Sequence, residues 1–227
     1  MSALRSVRVG DDPKAWSELG FCVVGSQVTL GRVRIELAGT DNGRGILGWS
    51  MAGIGDVIDG LPIASPPQGS FEQTRAVSHR NGIFGLDHVA VETSDLERTL
   101  RGFQAAGFTP QRRNIGEGSD PATERILFWA GRTIISVSGP TTTQTSGKPT
   151  AQFVGLALVS DDLDRTADLL GDALSAPLDS KQSGRRVSKL TARAGAISIP
   201  ITIMSTHVSA GIEQIAQDER SGAEPLG

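Results

Sequence analysis

The hydrophobic positions of residues 84–138 follow two periods in turn. In "FGLDHVAVE" apolar and polar residues alternate, which predicts a strand with one buried face. Apolar residues from Leu96 to Phe103 then recur at helical spacing, after Ser94 or Asp95 as the N-cap. Three short runs rich in strand-forming residues, "FTPQRRNIG", "ERILFWAG" and "RTIISVSG", complete the segment. The pattern predicts the order β-α-β-β-β.

The same β-α-β-β-β order is predicted for two more segments of the chain. Residues 152–205 repeat it with the strand "FVGLALVS", the helix "DDLDRTADLLGDALS" and three further strands. Residues 1–38 repeat it in compressed form, as a strand, a short helix and three short strands. When the copies are aligned, Gly155 and Ser6 fall where His88 stands in the central copy. The sequence therefore predicts an α+β protein with three βαβββ units.

The segments outside the units differ in length and composition. Residues 39–83 are rich in Gly, Pro and Ser and are too long for a turn, so they form either a functional loop with its own packing or a linker. Trp49 and Met51 indicate that the first half of this segment packs against the rest of the protein. The connection at 139–151 is short and polar, and residues 206–227 form a C-terminal tail.

Alternation along the strands predicts which side chains share a face. Val89 and Val91 are expected to pack beneath the helix of the central unit, so His88 points to the opposite face. In the first unit the same alternation places Glu36 on the equivalent face. The other residues predicted to line a cavity on the His88 face are Leu86, Ala90, Ile134, Ser136 and Ser138.

Composition and charge narrow the classes of partner. A net charge of −3 and a pI near 5.6 argue against binding to nucleic acid or to acidic membranes. No apolar run is long enough to span a membrane, and the first residues lack the apolar core of a signal peptide. The one cysteine, Cys22, excludes an intrachain disulfide, and its apolar neighbours predict a buried side chain. These features predict a cytoplasmic protein.

The three histidines are the first candidates for chemistry. His79, in "SHRNG", and His207, after the last predicted strand, are expected in surface loops. His88 lies within a strand, and the ordinary pKa of an imidazole suits proton transfer near neutral pH. P-loop, GxSxG and zinc-finger spacings are absent from the sequence.

The motif "GLDHVAVETSDLERT", together with the threefold βαβββ order, resembles the vicinal-oxygen-chelate superfamily, which includes glyoxalase I, extradiol dioxygenases and bleomycin-resistance proteins. In that superfamily two units pair edge to edge into a cupped sheet that holds a divalent metal ion. The ligands are His, Gln or Glu on the first and last strands. The resemblance assigns these ligand positions here to Ser6, His88, Gly155, Glu36, Ser136 and either Ser198 or Pro200. Only His88 and Glu36 have the chemistry of metal ligands.

Which units pair decides what the site contains. If the second and third units pair, as their short connection suggests, His88 shares a cup with Ser136, and Glu36 lies elsewhere. If the first and second units pair, His88 and Glu36 face one cup as a sparse metal site that water, substrate or another chain completes. In both cases one unit keeps an exposed sheet edge, which predicts a homodimer.

Three functions stay open at this point. The first is a small-molecule-binding, glyoxalase-like protein with a degenerate metal site, in which His88 carries out acid–base chemistry on an organic ligand. The second is an isomerase, lyase or dioxygenase that uses a divalent metal held by His88 and Glu36. The third is a scaffold without catalytic activity that binds a partner.

Overall fold

The computed structural model describes residues 2–54, 57–64, 77–115, 123–141, 151–180, 184–191 and 196–206. The first part of the chain forms β1 (Ala3–Val9), α1 (Pro13–Glu18), β2 (Val23–Val24), β3 (Gln27–Leu30), β4 (Val33–Leu37) and β5 (Ile46–Ala52). The central part forms β6 (Ile83–Glu92), α2 (Leu96–Ala105), β7 (Pro110–Ile115), β8 (Thr123–Ala130) and β9 (Thr133–Pro140). The last part forms β10 (Gln152–Ser160), α3 (Leu163–Leu170), β11 (Leu178–Asp179), β12 (Arg186–Lys189) and β13 (Ile201–Ser205).

The strands form one sheet of five and one of eight. Their orders are β2-β3-β4-β1-β5 and β11-β12-β13-β10-β6-β9-β8-β7. Within each unit the first strand runs parallel to the last, and the other neighbours are antiparallel. The predicted α+β fold class, with repeated βαβββ units in mixed sheets, is confirmed.

The eight-stranded sheet joins the second unit to the third. Its centre is the antiparallel pair of β6 with β10, the first strands of these two units. Of the two pairings that the sequence left open, the structure therefore has the one in which Glu36 lies outside the sheet of His88.

Helix α2 covers one face of this sheet, as its apolar spacing predicts. Asp95 is the N-cap, and its side chain accepts a hydrogen bond from the Arg98 backbone N–H. Phe103 is fully buried and stacks on Phe128 of β8, with ring centroids 4.7 Å apart. The helix ends before Gly107, whose φ of +85° is a left-handed conformation that glycine adopts without strain.

Strand β5 lies in the first half of the segment that the sequence describes as a connection. It pairs antiparallel with β1, on the edge that β4 does not use. Both neighbours of β1 thus come from the same chain, and β5 is an edge strand of this sheet. The predicted homodimer stays a prediction.

Trp49 of β5 links the first unit to the other two. It is fully buried, and its ring lies 4.7 Å from Phe153 of β10 and 6.2 Å from Phe103 of α2. Phe153 pairs in register with Val91, a core residue, so these contacts lie on the face of the eight-stranded sheet that carries the helices. The buried apolar residues of all three units form one continuous core, and the opposite face of the large sheet stays outside it.

Asp11 provides a second, polar link between the units. It is fully buried, and its Oδ2 accepts a hydrogen bond from Trp16 Nε1 at 3.0 Å. Its Oδ1 accepts one from the Ser198 backbone N–H at 2.7 Å, and the Ser198 hydroxyl accepts one from the Gly45 N–H. A buried carboxylate is stable here because each oxygen has a donor.

Two predictions about exposure are wrong, namely a surface position for His79 and a buried side chain for Cys22. His79 is buried at 5% exposure, because its imidazole fills a gap between the first unit and the chain that leads into β6. Its Nδ1 accepts from the Cys22 backbone N–H at 2.9 Å, and its Nε2 donates to the Thr29 carbonyl at 2.9 Å. Cys22 itself is exposed, since the side chain of this residue points away from the core that its neighbour Phe21 enters.

Some predicted segments fall outside the described residues. These are residues 65–76 of the connecting segment and residues 207–227 of the tail, with His207. In the part of the chain that the structure covers, every helix is too short or too polar to cross a bilayer.

The two hydrogen bonds of His79 require a neutral ring, which gives a pH dependence. Burial lowers the pKa of His79 below 6.5, and the hydrogen bond to Thr29 offsets this only in part. As the pH falls below 6.5, the unfolded chain takes up the proton before the folded one, so the free energy of unfolding decreases toward the folded-state pKa. His79→Gln, which does not titrate, should lower this slope by up to about 1.4 kcal/mol per pH unit. Urea unfolding of both proteins between about pH 5 and 8 measures the difference, and equal slopes would contradict it.

Candidate active site

A bulge in β6 sets the direction of the His88 side chain. His88 pairs with Ala157 of β10, and Leu86 pairs with the next residue, Leu158. Three residues of β6 thus lie against two of β10, and Asp87 is the extra one. A bulge of this kind leaves two successive side chains on the same side of the sheet. Asp87 and His88 are therefore neighbours on one face, which simple alternation does not allow.

We define the cup face as the face of the eight-stranded sheet opposite α2 and α3. His88 lies there in register with Ile134 of β9, and Ala90 lies in register with Ser136. The next position of β9 on this face is Ser138, whose hydroxyl donates back to the Val91 carbonyl. The structure thus brings four of the predicted cavity residues to the face that carries His88: Ala90, Ile134, Ser136 and Ser138.

Leu86 does not share this face, contrary to the prediction. It is buried at 6% exposure and belongs to the same core as Val89 and Val91. The reason is the bulge at Asp87, which reverses the alternation between Leu86 and His88.

The Asp87 carboxylate holds His88 on one side and Arg185 on the other. Its Oδ2 lies 2.8 Å from His88 Nδ1, and its Oδ1 accepts from Arg185 Nη1 at 2.8 Å. Arg185 precedes β12, and its Nε donates to the Ser205 carbonyl at 3.0 Å. The Arg185 side chain is 4% exposed and that of Asp87 16%, whereas that of His88 is 25% exposed. The imidazole is therefore the member of this group that solvent and ligands can reach.

These contacts fix the protonation of the group. Burial alone would raise the pKa of Asp87, but hydrogen bonds from His88 and Arg185, with the positive charge of Arg185, outweigh burial and lower the pKa below its ordinary value of 3.8. An ionised carboxylate only accepts hydrogen bonds, so the His88 proton lies on Nδ1. Among the described residues Asp87 is the sole hydrogen-bonding partner of the ring, which leaves the Nε2 lone pair available.

Glu36, the second predicted site residue, lies on β4 of the five-stranded sheet. It pairs in register with Arg8 of β1 and Gln27 of β3. Its Oε1 is buried and has no hydrogen-bond partner in the described structure. Glu36 and His88 thus lie on strands of two different sheets, and they do not form the predicted pair of metal ligands.

Two of the other ligand positions implied by the superfamily resemblance, Gly155 and Ser198, are closed by the fold. A Cβ on Gly155 would lie 2.5 Å from the Pro200 carbonyl oxygen, so a side chain does not fit there. Ser198 is engaged by Asp11 and Gly45. Within the described residues, no three His, Cys, Asp or Glu side chains gather as they would around a metal ion. The described residues therefore do not fit a divalent-metal centre, which usually needs at least three ligands.

Solved structures with a similar fold include the methylmalonyl-CoA epimerase of Mycobacterium tuberculosis, at 17% identity and a TM-score of 0.44, covering 57% of this chain and 92% of that one. A variant of the Streptomyces coelicolor enzyme matches at 14% identity and 0.41, over 53% and 96%. A hypothetical protein from Bacillus halodurans matches at 11% and 0.42, over 55% and 96%. A scan of protein-family models and a search of curated proteins find no match. The epimerases belong to the vicinal-oxygen-chelate superfamily, and at these values the likeness concerns the fold alone.

Two residues of the site, Asp87 and Arg185, were not among the predicted ones. Strict alternation along β6 assigns the Asp87 side chain to the helix side of the sheet. Gly85 could have indicated the bulge that reverses this assignment, because an isolated glycine within a strand often marks a bulge. Arg185 lies 98 positions away from Asp87 in the sequence, in a loop without a recognisable motif. Only the packing of the third unit against the second reveals it.

Because position 155 has no room for a side chain, we expect alanine to destabilise the protein more at Gly155 of β10 than at Gly85 of β6. Gly155→Ala should lower the free energy of unfolding by about 1–3 kcal/mol, because the methyl group displaces the Pro200 carbonyl. Gly85→Ala is the matched control, since a Cβ there meets nothing within 4 Å, and its effect should stay within about 0.5 kcal/mol. Urea unfolding measures both. Equal losses for the two variants would show that position 155 is open.

The Asp87 contacts predict the tautomer of His88. In ¹⁵N NMR spectra of the neutral ring, Nδ1 should give the shift of a protonated nitrogen and Nε2 that of an unprotonated one. In Asp87→Asn, Arg185 can only donate and so takes the amide oxygen, which leaves the amide N–H to donate to Nδ1. The tautomer should then reverse. Retention of the original tautomer in this variant would show that Asp87 does not determine it.

Proposed function

We propose that this chain binds a small organic molecule on the cup face and that His88 exchanges a proton with it through Nε2. The observation that supports this proposal is the contact between Asp87 and His88, in which a buried ion pair orients a partly exposed imidazole. A neutral imidazole with a free lone pair is a proton acceptor near neutral pH, and its conjugate acid returns the proton.

The surroundings of His88 support a ligand of small size. Ala90 and Ala157 flank it on β6 and β10, so the side chains next to the ring on these two strands are small. The charge of Asp87 is compensated by Arg185, and this pair needs no ligand for its own stability. The cup face therefore offers a base with small neighbouring side chains.

Deuterium exchange tests the proposal without knowledge of the natural ligand. Small carbon acids such as acetone, cyclopentanone and pyruvate are incubated with the protein in D₂O, and loss of the C–H signal is followed by NMR. His88 Nε2 takes the proton, the C–H electron pair forms the enolate, and a deuteron from solvent is returned to carbon. Removing the base in His88→Gln should lower the exchange by about 10²–10⁴-fold, to the buffer background.

Two further variants and a metal-removal experiment distinguish acid–base chemistry at His88 from a metal-dependent enzyme and from a non-catalytic scaffold. Asp87→Asn should also lose exchange, because the tautomer is wrong, whereas Glu36→Gln should retain it, because Glu36 lies on the other sheet. Exchange that disappears with EDTA and returns with a divalent ion would favour the metal-dependent isomerase, lyase or dioxygenase. Absence of His88-dependent exchange with every carbon acid would contradict the proposal and favour a scaffold that only binds a partner.

A further inference from the structure

Trp129 is a part of the cup face that the acid–base proposal does not use. The chain has three tryptophans, and two of them, Trp16 and Trp49, are fully buried. Trp129 is 52% exposed. Its neighbour Phe128 and the paired Ile135 are buried on the helix side, so the Trp129 side chain lies on the cup face.

Strand register places Trp129 in line with His88. Trp129 of β8 pairs with Ile134 of β9, and Ile134 pairs with His88 of β6. The three residues form one row across adjacent strands. Since neighbouring strands lie about 4.8 Å apart, the Cα atoms of Trp129 and His88 are separated by about 9.6 Å. Ile134 lies between them on the central strand of the row.

This row has the dimensions and chemistry of a slot for one aromatic ring. Aromatic rings pack with centroids about 4.5–7 Å apart, so a ring above Ile134 contacts the indole on one side and reaches the imidazole on the other. The slot is apolar at Ile134 and Trp129, and the charge next to His88 is compensated within the pair of Asp87 and Arg185. Apolar side chains of this kind favour contact with an uncharged ring.

From this row we infer that the ligand of the cup face carries an aromatic ring directly beside the carbon that gives its proton to His88, and that Trp129 is the specificity-determining residue. The inference rests on the proposed function and names its substrate class. The ring lies between Trp129 and His88 over Ile134, and the carbon beside the ring then stands next to Nε2. The proton passes to Nε2, the C–H electron pair moves into an enolate, and the reverse step restores the C–H bond.

Two ketones that differ by one benzene ring test the inference. Deuterium exchange beside the carbonyl is measured for 2-indanone, whose exchanging carbons are bonded directly to the benzene ring, and for cyclopentanone, and each rate is divided by the rate with free imidazole at the same pH. The ratio of the two normalised values should favour 2-indanone by about 10-fold or more, because stacking contributes about 1.4 kcal/mol. Trp129→Ala should bring this ratio close to one, and Trp129→Phe should restore part of it.

Leu169→Ala is the matched control, because Leu169 is 53% exposed on α3, on the opposite face of the sheet, and the ratio should not change. Binding of 2-indanone, measured by saturation-transfer NMR, should persist in His88→Gln and be lost in Trp129→Ala. If exchange depends on His88 but the wild-type ratio is near one, the aromatic slot is wrong and the acid–base proposal stands. If binding depends on Trp129 but no ketone shows His88-dependent exchange, the slot stands and the acid–base proposal is wrong.

Discussion

The antiparallel pairing of β6 with β10 is the interaction on which the rest of the structure depends. It joins the second and third βαβββ units into one eight-stranded sheet, with His88 at the seam opposite Ala157. The bulge within this pair turns Asp87 and His88 to the same face, and Arg185 of the third unit neutralises Asp87 there. The candidate site thus exists only because two units, each incomplete in this respect, share a sheet.

The first unit repeats the βαβββ order, but it packs against the other two units and does not join their sheet. Its first strand β1 pairs with β5 from the same part of the chain, whereas β6 pairs with the first strand of the next unit. Trp49 of β5 then packs against Phe103 and Phe153, on the side of the large sheet away from His88. Burial of an indole removes a large apolar area from water, so this contact stabilises the arrangement of the three units.

Much of this could be predicted from local pattern, and the exceptions have physical reasons. Alternation correctly places Val89 with the core and Ile134 beside His88, because β6 and β9 run in regular register there. It fails at Leu86, because one inserted residue reverses the faces. Glu36 has the right residue type and the right place within its unit, but the pairing of units, which depends on tertiary contacts, assigns it to the other sheet. Contacts such as Asp87 with Arg185 have no local signature.

A double-mutant cycle on Asp87 and Arg185 tests most directly whether the second and third units share the site. Unfolding free energies of the wild type, Asp87→Ala, Arg185→Ala and the double variant should give a coupling of at least about 1 kcal/mol, since the Arg185 side chain is 4% exposed. The exposed pair of Arg186 with Asp164 is the matched control and should give a much smaller coupling, because solvent screens it. A coupling between Asp87 and Arg185 no larger than that of the control would contradict the shared site.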